Sequence, residues 1–176
     1  MILKRSMLAA LLALGVAATA QAHSPDVPRD PNQLAHYRAG VAAYYKQDYA
    51  TALKEWRPIA EKGSSAAQLY LGFLHANGQG VARDDGAAAD WYRRAAEQDN
   101  MLAQIRLAIM YRRGRSVQQD LVAAHLWTSL AARDEKHLKN VATALRQALE
   151  TDMTPAQVAE AERLKRDWLK KHRKKD

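Results

Sequence analysis

Apolar positions along this chain fall on one face of successive short helices, and the pattern returns every 36 residues. A shift of 36 places Ala52 on Ala88, Ala60 on Ala96, Ala67 on Ala103, Gln68 on Gln104, Leu71 on Leu107, Gly78 on Gly114 and Val81 on Val117. The next unit continues it, with Asp84 on Asp120, Ala88 on Ala124, Trp91 on Trp127 and Ala95-Ala96 on Ala131-Ala132. Such a period marks one supersecondary unit stacked on copies of itself. Trp56 stands one place out of register, since it falls on Tyr92.

Each unit reads as two helices. The first unit gives Ser65 to Asn77, stopped by Gly78-Gln79-Gly80, and then about Asp85 to Gln98. The second gives Met101 to Arg113, stopped by Gly114, and then Asp120 to Ala132. Asp84 and Asp120 stand where a side chain can accept bonds from the free N–H groups of a helix start. Upstream, Gln33 to Lys46 and Tyr49 to Lys62 predict an opening pair; downstream, Lys136 to Glu150 and Pro155 to about Lys171 predict a closing pair. Thr154 followed by Pro155 is a strong helix start. The prediction is therefore all-α: a right-handed α/α superhelical solenoid of four antiparallel helix pairs. The repeated alanines suit close helix crossings, where little more than a methyl fits. Leu71/Leu107, Leu74/Met110 and Trp56/Trp91/Trp127 are read as the larger groups filling gaps between hairpins, since one hairpin cannot bury its apolar face alone.

The N-terminus has a different pattern. Lys4 and Arg5 precede a 12-residue apolar run, Met7 to Ala18, and Ala20-Gln21-Ala22 is a small-x-small cleavage site. Residues 1–22 read as a secretory signal peptide with cleavage after Ala22. The run is short for a span of about 30 Å of hydrocarbon. Its alanine-rich character predicts a bacterial, periplasmic or secreted protein. Residues 23–32, with three prolines, read as an extended leader, 33–171 as the repeat domain and 172–176 as a basic tail.

The charge of +8 is unevenly placed. Residues 23–162 carry 17 bases and 17 acids, whereas residues 163–176 carry eight bases and two acids. The body is neutral, which together with export argues against nucleic acid. The basic tail, Lys170, Lys171, Arg173, Lys174 and Lys175, reads as a cationic helix end or a contact for anionic lipid or another polyanion. The chain has no cysteine, so disulfides, thiolate metal sites and a Cys nucleophile are excluded.

The text Ala67-x-x-x-Leu71-Gly72-x-Leu74-x-x-x-Gly78-x-Gly80-Val81-x-x-Asp84, then Ala88-x-x-Trp91-Tyr92-x-x-Ala95-Ala96-Glu97, resembles the Sel1-like repeat, a tetratricopeptide-like α/α solenoid unit. Ala103-x-x-x-Leu107-Ala108-x-Met110-Tyr111-x-x-Gly114-x-Ser116-Val117-x-x-Asp120 resembles a second copy. The family usually has Tyr at His75 and Gly at Asp99, Ala108 and Ser116. The resemblance implies a protein-interaction scaffold in which the first helix of each unit lines a concave face. With the core positions set aside, the expected partner-binding residues are Gln68, Tyr70, Phe73 and Asn77 in one unit and Gln104, Arg106, Ile109 and Arg113 in the next. The expected partner is a protein or peptide.

Enzymatic constellations are not apparent in the sequence. It lacks Ser-x-x-Lys, Gly-x-Ser-x-Gly, a phosphate-cradling Gly-x-x-x-x-Gly-Lys and His-Glu-x-x-His. His125 and His137 do not share one helical face, so no metal and no cofactor are expected. Two other readings compete with the adaptor. One is a hydrolase acting on β-lactams or peptidoglycan, with the solenoid holding substrate. The other is an anionic-surface binder acting through the tail. Arg112, Arg113 and Arg115, with Arg93-Arg94, form a further basic cluster around the second glycine loop.

Overall fold

The computed structural model describes residues 27–115, 117–133 and 139–172. The proposed signal peptide, the first part of the leader, His137 and the tail residues Arg173, Lys174 and Lys175 lie outside these. The described residues form eight helices and no strands: α1 Pro31–Tyr45, α2 Tyr49–Glu61, α3 Ser65–Asn77, α4 Asp85–Ala96, α5 Met101–Arg113, α6 Leu121–Ala131, α7 Lys139–Glu150 and α8 Pro155–His172.

Capping chemistry sets the boundaries. Asp84 and Asp120 each accept a bond, at 2.9 Å, from the N–H three residues on. Ser64 and Asn100 do the same for α3 and α5. Gly78 and Gly114 close α3 and α5 in the left-handed conformation, which costs glycine little. The returning chain then bonds alike in both copies, from Asp84 N–H to His75 O and from Asp120 N–H to Tyr111 O. Thr154 and Gln157 exchange bonds as a capping box at the start of α8. The leader is shorter than expected, because Asp30 caps α1 and Pro31 occupies its first turn.

Neighbouring helices pack in chain order from α1 to α7, and α8 lies against α6. The closing pair thus differs from the other hairpins, since both of its helices dock chiefly on α6. Ala52, Ala88 and Ala124, one per unit, are completely buried, as are Ala67 and Ala103. They are the small contacts that close crossings require.

The large core residues correct one expectation. Trp56 belongs with Tyr92 and Thr128 in the strict register, and all three are buried. Trp56 fills the space beside Gly40, and Tyr92 the space beside Gly72. These rings therefore sit between the two helices of one hairpin. Trp91, one place earlier, is only half-buried and packs against the cluster shared by the first hairpin and α3, while Trp127 meets Trp168 of α8 edge to face.

Candidate functional site

The first helices of three successive pairs bring a continuous row of aromatic side chains together. Tyr37 and Tyr44, seven residues apart on α1, share one face of that helix. Tyr70 of α3 lies 6.2 Å from Tyr37 and 5.9 Å from Tyr44, centroid to centroid. Phe73, one turn on, lies 6.2 Å from Tyr70. The guanidinium of Arg106, from α5, sits over the Phe73 ring at 4.8 Å. The row thus runs from α1 across α3 to a cation on α5.

Its footing is rigid. Tyr70 stacks on buried Trp56 at 4.4 Å, and Phe73 meets buried Tyr92 edge to face at 5.7 Å. The Trp56 indole N–H donates to Tyr37 O, locking α1 onto α2. Burial pushes the Tyr70 phenol well above its ordinary range, with Tyr37 adding through charge and a hydrogen bond. Burial also raises the Tyr44 and Tyr92 phenols, and the Arg106 charge opposes the rise at both. All three phenols stay neutral near pH 7, as donors and acceptors. Tyr37, Tyr44, Tyr70 and Phe73 keep part of their surface exposed, and Tyr45 at the edge is 49% exposed.

The eight residues expected in the groove divide. Tyr70, Phe73 and Arg106 are on the row. Gln68 and Gln104 are not, because both are turned inward and almost fully buried. Gln68 Nε2 donates to Ala60 O at 2.9 Å, and Gln104 Nε2 donates to Ala96 O at 3.1 Å. Each amide ties a first helix to the end of the preceding one. A partner cannot reach them, so their placement in the groove is corrected. Asn77 is exposed but donates to Phe73 O of its own helix. Ile109 packs on the Ile105–Ala131–Ala142 cluster, and Arg113 is exposed at the end of α5. Tyr37, Tyr44 and Tyr45 are absent from the expected set, which draws only on the two clear repeats and not on the opening pair. The seven-residue spacing of Tyr37 and Tyr44 was the available signal.

Other clusters are internally engaged. Arg93 pairs with Asp90, Arg115 pairs with Asp85, and Arg94 lies over Trp91. These contacts occupy much of the basic cluster. Fully buried His125 touches Glu150 at 2.9 Å through Nε2 and Ser129 at 3.4 Å through Nδ1. The order Ser–His–Glu resembles a hydrolytic relay. However, the ring is inaccessible and Ser129 is buried one turn along the same helix, so the cluster serves as a tie from α6 to α7. Among the described residues no group of three His, Cys, Asp or Glu side chains could hold a metal.

Residues 65–100 and 102–135 each match the Sel1 repeat. The chain thus carries two copies of the Sel1 repeat. One similar structure is a protective antigen present in uropathogenic Escherichia coli strains and displaying an SLR fold. It is 30% identical with a TM-score of 0.74, over 81% of this chain and 31% of its own. Another is a Sel1 repeat protein from Oxalobacter formigenes, 29% identical with a TM-score of 0.58, over 64% of this chain and 45% of its own. The chain thus spans under half the length of either relative. No curated protein matches it significantly. The two matched repeats contain α3 to α6, so the solenoid assignment and the row on α3 and α5 rest on the same units. Sel1 repeats commonly mediate protein–protein interaction and typically act as non-catalytic scaffolds.

Proposed function

We propose that this Sel1-repeat protein is an exported, non-catalytic adaptor that holds a partner's extended segment along the face carried by α1, α3 and α5. The observation that carries this reading is the row Tyr37, Tyr44, Tyr70, Phe73 and Arg106, drawn from three successive first helices. Aromatic and Arg side chains are the types that dominate binding energy at protein interfaces. Here they are held by buried Trp56 and Tyr92, so little side-chain freedom remains to be lost on binding. Stacked units build such a face as a by-product of their own packing.

Export is part of the proposal and rests on the sequence pattern of residues 1–22. No helix among the described residues is long and apolar enough to cross a membrane.

Affinity capture from an envelope extract tests the reading. The protein carrying Tyr45→Ser and Phe73→Ser should keep its helicity and lose the partner retained by wild type. Lys54→Glu, on the exposed side of α2, should retain it. Equal capture by the Tyr45→Ser/Phe73→Ser protein would overturn the assignment of the face.

A further inference from the structure

Arg106 is the residue of the row whose chemistry is least used by the fold. Half-buried Arg93 and Arg146 each have a carboxylate within 4 Å, as do the more exposed Arg83, Arg115 and Arg133. Arg106 has the Phe73 ring, and its charge reaches the Tyr44 and Tyr92 phenols, but it has no carboxylate; its Nε, like that of Arg146, is buried with no hydrogen-bond partner. Asp85, whose charge reaches neighbouring Tyr92, is already shared by Arg83 and Arg115. Arg106 also stands where the preceding repeat has Tyr70, so a guanidinium replaces a phenol at the end of the row.

A guanidinium keeps its N–H donors in its own plane as a fork, and contact with a ring face leaves those donors free for an acceptor. That fork matches the two oxygens of a carboxylate, and a part-desolvated site strengthens the bond. We propose that Arg106 receives a carboxylate of the bound segment, while Tyr70, Phe73 and the α1 tyrosines contact its apolar side chains. The steps from Arg106 to Phe73, Tyr70 and Tyr37 accommodate about five residues of extended chain. The ligand class is therefore a short extended peptide with a carboxylate at one end of an apolar stretch. The carboxylate comes from an Asp or Glu side chain or from the chain terminus. This inference rests on the groove reading above.

The test is selection of random heptapeptides on the purified protein, from one library with free C-termini and the same library amidated. Wild type should enrich apolar residues at fixed spacing from a carboxylate, either that of an acidic side chain or that of the free C-terminus. Enrichment in both libraries identifies a side-chain carboxylate; acid-independent enrichment confined to free C-termini identifies the terminal one. In a selected peptide, Glu→Gln or terminal amidation should weaken binding about 10- to 100-fold, the range of a charge-assisted hydrogen bond. The same change should matter less than about twofold on Arg106→Gln. Arg106→Lys should keep the preference with weaker binding, and the peptide substitution on wild type needs no folded variant. Apolar enrichment with no carboxylate preference would overturn this inference and leave the groove reading standing. No enrichment in either library would overturn both.

Discussion

The ring of Tyr92 lies against the backbone of Gly72, so that a Cβ added at Gly72 would collide with it. The same relationship joins Gly40 and Trp56 one hairpin earlier. One hairpin later the corresponding positions are Ala108 and Thr128, both fully buried. A larger residue on the first helix thus accompanies a smaller one on the second. Gly72→Ala should gain helix propensity yet lose about 1–3 kcal/mol overall, because the ring must move. Tyr92→Thr alone should cost more, through the cavity it leaves. Urea denaturation of both single mutants and the double mutant should show about 1 kcal/mol or more of favourable coupling. Strict additivity would show that the two positions do not pack as a pair.

Gln104 and Gln68 are the polar counterparts of this packing. Gln104→Ala removes a buried bond to Ala96 O and should cost about 1–3 kcal/mol. Gln68→Ala should behave alike, since Gln68 bonds Ala60 O and also accepts from Gln98 Nε2 at 2.7 Å. In either variant, the fraction that remains folded should bind selected peptides as wild type does. A large loss of binding with an unchanged denaturation midpoint would return these amides to the groove.

The 36-residue frame was legible because caps and stops recur with it, Asp84 with Asp120 and Gly78 with Gly114. Two features were harder to read. Residue type groups Trp56 with Trp91 and Trp127, although the room beside Gly40 and Gly72 selects the strict register 56, 92 and 128. Setting aside the apolar core positions leaves Gln68 and Gln104 among the groove candidates. Their identity in both copies was a sign of the opposite. A structural tie recurs with the repeat, whereas the face positions change, from Tyr70 to Arg106, Phe73 to Ile109 and Asn77 to Arg113. The contribution of α1 to the row is legible only in part: the seven-residue spacing of Tyr37 and Tyr44 puts them on one helical face, but their meeting with Tyr70 depends on how the hairpins stack.

His75 links stability to pH. It is buried, with Nδ1 unpartnered, and burial and then the Arg57 charge hold its pKa below the ordinary 6.5, against an opposing pull from Asp84. The unfolded chain therefore takes up this proton at a higher pH than the folded one. The stabilising contribution is whole above about pH 6.5 and is lost as the pH falls through the folded value. Urea midpoints at pH 7.5 and 5.5 should differ more for wild type than for His75→Tyr, which carries the residue usual in the family. An equal difference in the two proteins would show that another group sets the acid sensitivity.

The most direct measurement of the central claim is site-specific photocrosslinking. A photoreactive phenylalanine derivative is placed singly at position 37 or 73 on the row, and at position 54 on α2. The row positions should each yield adducts to one short stretch of the same partner, and position 54 should yield none. Adducts from position 54 to that same stretch, or none from 37 and 73 in a protein that melts as wild type does, would contradict the account.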